Sequence, residues 1–313
     1  MAFSFNNLPI NTLVGADIRT FNHVTRTTPI DRVAKYRSTK ICQRILAPLY
    51  RLNDRAYGEI PKPEIISPLF IIGHWRSGTT LLHNLLSRDP QFGYCTTYHT
   101  VFPHLMLRSD GVVKSLAERL MPSSRPTDHL ALSLFQPQEE EFAIANMTHA
   151  AYYHFWIFPQ KMAHYREKYL LFDSCSPQEL AEFRSATLRV MQTALYCQGK
   201  GRFLSKNPPH TARIPTLLQM FPDAKFIYIY RDTDEVIRST KRFFCQTLDA
   251  LSLQNISNVQ LNHEIVTTYH AVINRYEQTK TMIAPENLCE ISFRELSAHP
   301  TKSVEHIYRQ LKL

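Results

Sequence analysis

Leu69-Phe70-Ile71-Ile72-Gly73-His74-Trp75-Arg76-Ser77-Gly78-Thr79-Thr80-Leu81-Leu82-His83 decides the fold. Four apolar residues predict a buried strand, and a short loop with two glycines leads into a helical run from Leu81 to Ser87. Strand, loop and helix in this order open a βαβ unit. Backbone N–H groups at such a helix start point outward and bind phosphate oxygens. Ser77, Thr79 and Thr80 add hydroxyls, and Arg76 adds a fixed charge with forked donors. Gly73 and Gly78 have the glycine spacing of the nucleotide-triphosphatase loop G-x-x-x-x-G-K-[ST], but Thr79-Thr80 stands where that loop has its lysine. A magnesium-bound triphosphate is therefore not the natural ligand.

Outward from this segment, strands are expected at Arg202–Ser205, Phe226–Tyr230 and Leu288–Ser292, with a further strand and a turn inside 92–105. Helices are expected at about Ala212–Met220, from near Asp234, and at Pro300–Leu311. Ser176-Pro177-Gln178-Glu179 has the residues of a capped helix start, and that helix should run to about Cys197. The stretch 111–200 reads as helical, broken at Arg125-Pro126-Thr127-Asp128 and Gln136-Pro137-Gln138. The fold class is α/β: a P-loop-like parallel sheet flanked by helices, with a helical insert at about 106–200 as an acceptor cap. Upstream, 1–29 is polar and irregular. Ile30 to Ala47 reads as a basic amphipathic helix that packs on the domain or lies on a membrane surface. Pro61, Pro63 and Pro68 mark a linker, so the division expected is an N-terminal segment 1–67 and a main domain 68–313.

Composition narrows the partners. Of 313 residues, 44% are hydrophobic and 20% charged, enough for a sizeable core and unlike a disordered tail. A net charge of +9 suits an anionic ligand, a nucleic acid or an anionic membrane. No aromatic-basic signature of single-strand binding accompanies it, so no nucleic-acid partner is expected. The six cysteines form no C-x-x-C pair and no zinc-ligand cluster, so no metal is expected and a reducing compartment fits. Neither a secretory signal nor a bilayer-length apolar run stands out. The expectation is a soluble cytoplasmic protein, with peripheral membrane contact through the basic helix left open.

The loop Arg76-Ser77-Gly78-Thr79-Thr80 resembles the 5′-phosphosulfate-binding loop of sulfotransferases, which reads K-S-G-T-T in cytosolic members and R-S-G-T-T in tyrosylprotein and several bacterial ones. Phe203-Leu204-Ser205-Lys206-Asn207-Pro208 resembles the strand that ends in a lysine near the transferred group. The run from Phe221 to Asp232 resembles the 3′-phosphate strand, with Arg231 and Ser239 at the matching positions and Thr233 in place of the usual proline. Ile291-Ser292-Phe293-Arg294-Glu295-Leu296 with Pro300 is similar to the family's Y-E-D-L-x-x-x-P segment. The likeness covers about 68–311 and is nearest to the bacterial-type subgroup whose loop reads G-H-W-R-S-G-T-T-L-L-H. Asn11-Thr12-Leu13-Val14-Gly15, Arg125-Pro126-Thr127-Asp128 and the run Pro137 to Phe142 also resemble that subgroup.

The resemblance implies 3′-phosphoadenosine 5′-phosphosulfate as donor. Arg76, Ser77, Gly78, Thr79, Thr80 and Leu81 would hold its 5′ end, and Arg231 with Ser239 its 3′-phosphate. Many relatives add a basic C-terminal segment to that contact; the sequence read here runs to Leu313, and Arg238, Lys241 and Arg242 are the other basic residues at hand. Arg76 and Lys206 would meet the charge on the departing phosphate without a metal. Thr96-Thr97 occupies the place of a relative's catalytic glutamate and cannot act as a base, so the nearby His99 is the first candidate. His104, His210 and the run Glu139-Glu140-Glu141 are alternatives. The aromatics from Tyr152 to Phe172 are core, or the wall of an apolar acceptor cleft suited to a sterol, lipid, quinol or phenol. The competing readings are a P-loop kinase or other nucleotide-binding enzyme, and a non-catalytic basic binder of membrane or nucleic acid.

Overall fold

β1 (Leu69–Ile72) is buried along its whole length, as a central parallel strand must be when both sheet faces are covered. The computed structural model describes residues 9–26, 28–108 and 134–313. The expected break at Arg125-Pro126-Thr127-Asp128, and part of the expected insert 106–200, lie outside them.

Five strands form one sheet in the order β2-β3-β1-β4-β5, with β2 at Phe92–Gly93, β3 at Arg202–Lys206, β4 at Lys225–Tyr230 and β5 at Leu288–Ser292. Every pairing is parallel. Leu69 stands opposite Leu204 on one side and Lys225 on the other, so the carboxyl ends of β1, β3 and β4 finish near one level. The strand period of two sorts the core into layers. Leu69 and Ile71 join Leu82, Leu86, Leu296, Ile307 and Leu311 on one face. Phe70 and Ile72 join Phe226, Val190, Met191 and the aromatics of 152–158 on the other.

The helix after β1 starts two residues earlier than expected, at Thr79, and runs to Leu86. The helix at Pro177–Gln198 is as read: the Ser176 and Glu179 side chains cap each other's backbone N–H groups, Pro177 takes the first position, and Gly199 closes it with φ +60°. Helices at Thr233–Leu251, Phe293–Ala298 and Pro300–Leu311 follow the strands. A further helix at Asn258–Thr279 lies where no element was expected.

Three expectations change. Only Phe92–Gly93 of the 92–105 region is extended, because Thr96 caps a short helix, Thr97–Val101. Within 141–170 the expected helical stretch is a helix at Glu141–Met147 followed by short helical pieces at Tyr152–Trp156, Pro159–Lys161, Met162–Tyr165 and Arg166–Leu170, between which large aromatics turn inward. Tyr152, Tyr153, Phe155, Trp156 and Phe158 are at most 2% exposed, so these rings fill the core and do not wall an open cleft. Upstream, the basic helix is longer than read, Val33–Glu59, and passes through Pro48, whose missing N–H falls on the exposed side. No described helix is long and apolar enough to cross a membrane.

Candidate active site

The loop between β1 and the following helix owes its path to two glycines. Gly73 has φ +141°, and a Cβ there would lie 2.5 Å from the Ile229 carbonyl oxygen of β4. Gly78 has φ +102°, and a Cβ there would lie 2.2 Å from the Phe293 ring. Both positions therefore need glycine. The loop is pinned from outside where Gly73 N donates to Thr211 Oγ1 at 2.8 Å. Arg76 also has positive φ, +69°, unusual for a residue with a Cβ. That strain turns its side chain across to the next strand's helix, where Nε donates to Ser239 Oγ at 3.0 Å. Arg231, just past the end of β4, donates from Nη1 to the Arg76 carbonyl at 3.3 Å and from Nε to Glu235 at 2.8 Å. Its guanidinium lies 4.5 Å from the Phe293 ring centroid. Residues far apart in sequence thus converge on one loop: Arg76, Arg231, Ser239 and Phe293. Beside it, Arg231, Glu235, Arg238, Ser239, Lys241 and Arg242 line a cavity of about 450 Å³ with a strong excess of positive charge.

Ser77 Oγ is buried and makes no hydrogen bond among the described residues, although a buried hydroxyl normally finds a partner. No side chain caps the helix that begins at Thr79. An unpartnered hydroxyl, uncapped N–H groups and a nearby guanidinium fit a phosphate or sulfate oxygen. Thr79 is buried at this helix start, whereas Thr80 and Leu81 are exposed.

The second half of the site lies past β3. Lys206 is buried, and its ammonium donates to Glu139 Oε1 at 2.5 Å. Tyr153 Oη donates to the other Glu139 oxygen and accepts from Trp75 Nε1 at 3.0 Å. Burial, then the Glu139 charge, pushes the Tyr153 hydroxyl well above its ordinary pKa, so it remains a donor. Glu140 accepts from Ser205 Oγ and lies 3.2 Å from His210 Nε2. Glu141 receives both Arg213 nitrogens, at 2.7 and 2.8 Å, and Asn207 Nδ2 at 3.0 Å. Burial would raise the Glu141 carboxyl, but the Arg213 charge and hydrogen bonds overcome it and hold the pKa below its ordinary value. The glutamate run is thus an internal network, each carboxylate with its own cation or imidazole, and not a solvated face.

Two of the candidate histidines, His99 and His104, are held away from this arrangement, and His210 is part of it. His99 caps its own helix: Thr96 N donates to His99 Nδ1 at 3.4 Å, and His99 N to Thr96 Oγ1 at 3.2 Å. His104 is held between Asp54, 3.0 Å away, and the Asn146 carbonyl. His210 sits inside the network, against Glu140 and Asn207. The sequence reading gave no role to Arg213 or Thr211, and it placed Trp75, His83 and Phe293 in motifs and Tyr153 among the core or cleft aromatics without a part in this network. His83 is 1% exposed with neither ring nitrogen hydrogen-bonded among the described residues, and burial, then the Lys206 charge, drives its pKa well down. Its place one turn into the helix, as the last residue of the G-H-W-R-S-G-T-T-L-L-H run, could have pointed to it.

Burial also lowers His74, His99 and His154 to about 4 each. With a depressed folded-state pKa, the unfolded chain binds more protons between about 6.5 and 4. Stability from these rings is full above 6.5 and is lost as pH falls toward 4. The unfolding free energy should therefore be lower at pH 4.5 than at pH 7, by on the order of 2 kcal/mol per ring, with the urea midpoint falling in step. A midpoint unchanged over that range would mean the rings are hydrated.

Residues 68–313 match the profile described as the sulfotransferase family. Two curated proteins named omega-hydroxy-beta-dihydromenaquinone-9 sulfotransferase Stf3, from Mycobacterium bovis and Mycobacterium tuberculosis, are each 32% identical over 246 residues. That match covers 79% of this chain but 63% of the relatives, so the chain spans under two thirds of their length. Among solved structures, sulfotransferase STF1 from Mycobacterium tuberculosis H37Rv superposes with a TM-score of 0.68 at 16% identity, covering 94% of this chain and 81% of that one. Sulfotransferase STF9 from Mycobacterium avium gives 0.69 at 17%, covering 95% and 79%. These two show the fold, the α/β parallel sheet expected from the sequence. With a family profile matched from β1 to the last residue read here, the chain belongs to the sulfotransferase family.

Proposed function

We propose that this protein moves a sulfuryl group from 3′-phosphoadenosine 5′-phosphosulfate to a hydroxyl of a small lipophilic acceptor, in the cytoplasm and through the domain 68–313, with 1–67 as an N-terminal segment. The observation that carries the reading is the 3.0 Å bond from Arg76 to Ser239, which joins the 5′ loop to the helix after Arg231. The donor supplies an activated sulfuryl group with a phosphate as leaving group. Arg76, the Ser77 and Thr79 hydroxyls and the helix N–H groups hold its 5′ end, and Arg231 with Ser239 receives the 3′-phosphate. Lys206 supplies positive charge where the leaving oxygen becomes negative. Glu139 replaces His99 as the proposed base: it is a carboxylate held beside Lys206, whereas the ring of His99 is committed to its own helix cap. Support for a lipophilic acceptor comes from the curated relatives' name, a dihydromenaquinone carrying an omega-hydroxyl.

Two outcomes test the donor site. Arg76→Ala should lower kcat/KM by on the order of a hundredfold, about 3 kcal/mol, through loss of a charge-assisted contact at developing charge. Arg231→Ala should weaken adenosine 3′,5′-bisphosphate far more than adenosine 5′-monophosphate in calorimetric titrations. Equal weakening would remove Arg231 from the 3′-phosphate. A radiolabelled transfer screen over quinols, lipids, sterols and sugars identifies the acceptor, and label transferred only to sugars would reject a lipophilic one.

A further inference from the structure

The long helix Val33–Glu59 is amphipathic the wrong way round for a helix that simply packs on a core. Its buried residues include Thr39, Gln43, Tyr50 and Asn53. Polar bonds tie down this inner face: Asn11 N donates to Thr39 Oγ1 at 3.1 Å, Gln43 Nε2 to the Ala16 carbonyl at 3.0 Å, and Tyr50 Oη to the Val14 carbonyl at 2.7 Å. The outer face is apolar. Ile41 is 61% exposed, Ile45 69%, Leu49 38% and Leu52 50%. The spacing of these four places them in one stripe along the helix.

At about 100° per residue, Arg37, Lys40, Arg44, Arg51 and Arg55 fall along one edge of that stripe. Asp54, an acid of the same helix, is already engaged by His104 and Arg189. The exposed face therefore couples a row of large apolar side chains to a row of cations. A scattered exposed leucine needs no explanation, but a continuous apolar stripe marks a contact surface. We propose that this face docks on an anionic lipid surface, with Ile41, Ile45, Leu49 and Leu52 entering the headgroup–acyl boundary and the five cations meeting lipid phosphates. Charge favours this occupant over a second copy of the chain. A two-fold seam along the stripe would face two cationic surfaces toward each other, with the rows side by side in an antiparallel pair, and like charges across an interface oppose association. The inference stands on the surface alone and does not depend on the proposed reaction.

Flotation of the full chain with vesicles tests it. Binding to phosphatidylcholine–phosphatidylglycerol vesicles should exceed binding to phosphatidylcholine alone by about tenfold or more, and fall with added salt. The triple variant Ile41→Ser, Ile45→Ser, Leu52→Ser and the triple variant Arg37→Gln, Arg44→Gln, Arg51→Gln should each lose about tenfold in binding. All six side chains lie on the outer half of the helix, so circular dichroism and urea midpoints should stay near those of the parent. Three results would overturn the proposal: no binding to either vesicle, binding that neither variant weakens, or a vesicle-independent dimer that the serine variant dissociates.

Discussion

Glu139→Gln is expected to lower kcat by roughly 10²- to 10⁴-fold while leaving the affinity for adenosine 3′,5′-bisphosphate unchanged. Gln has the size of Glu, and its amide oxygen can still accept one of the two bonds that Lys206 and Tyr153 donate to this position. It cannot take a proton from an acceptor hydroxyl. The loss should therefore fall on the chemical step and not on donor binding. His99→Ala should do the reverse: kcat stays, and stability falls by about 1 kcal/mol with the helix cap. His104→Ala and His210→Ala should disturb the packing around Asp54 and Glu140, not the proton transfer. Steady-state kinetics on the four variants with a shared donor titration separates them. A loss that follows His99 and spares Glu139 would return the base to the imidazole.

Arg213→Ala is expected to cost about 3–5 kcal/mol in urea unfolding. Arg213 is 1% exposed, pairs bidentately with the fully buried Glu141, and also donates to the Tyr169 carbonyl. Its guanidinium lies 4.6 Å from the Phe183 ring centroid. Removing it strands a buried carboxylate and leaves a hole, and an uncompensated buried charge is among the largest single-residue penalties. Pairing Arg213→Met with Glu141→Gln removes both charges and should recover a good part of the loss, because desolvation of the pair is then avoided. A full-cost double variant would show that packing, not charge, dominates there.

The fold was legible because its signals are local. A fully apolar β1, two glycines in a fixed loop and alternating strands and helices leave few other topologies, and Ser176-Pro177-Gln178-Glu179 marks its helix start by side-chain chemistry alone. The helix Asn258–Thr279 was missed although Ser257 caps it, because none of its residues belongs to a motif that drew notice. The loop and strand-end residues named from the sequence, Arg76, Arg231 and Ser239, come together in the structure, whereas the partners around Lys206 could not be read from spacing. Whether Glu139-Glu140-Glu141 faces water or Lys206, His210 and Arg213 depends on where the chain returns after 65 or more residues, which spacing does not encode. His99 looked apt as a base because of its type and place. Its engagement by Thr96 is a matter of three residues, and the T-x-x-H pattern could have been read as a reciprocal cap. The direction of the apolar face of the helix Val33–Glu59 stayed open between the domain and a membrane surface for a related reason, since periodicity finds a stripe without saying which way it points.

If the Arg76–Ser77 loop, Arg231 and Ser239 form one site for 3′-phosphoadenosine 5′-phosphosulfate, the chain must bind its desulfated product without a metal. Isothermal titration with adenosine 3′,5′-bisphosphate in the presence of chelator tests it most directly. Saturable one-to-one binding is expected that needs no magnesium, exceeds the affinity for ATP, and is weakened by both Arg76→Ala and Arg231→Ala. Binding that requires magnesium and prefers ATP, or no binding by a folded chain, would contradict it.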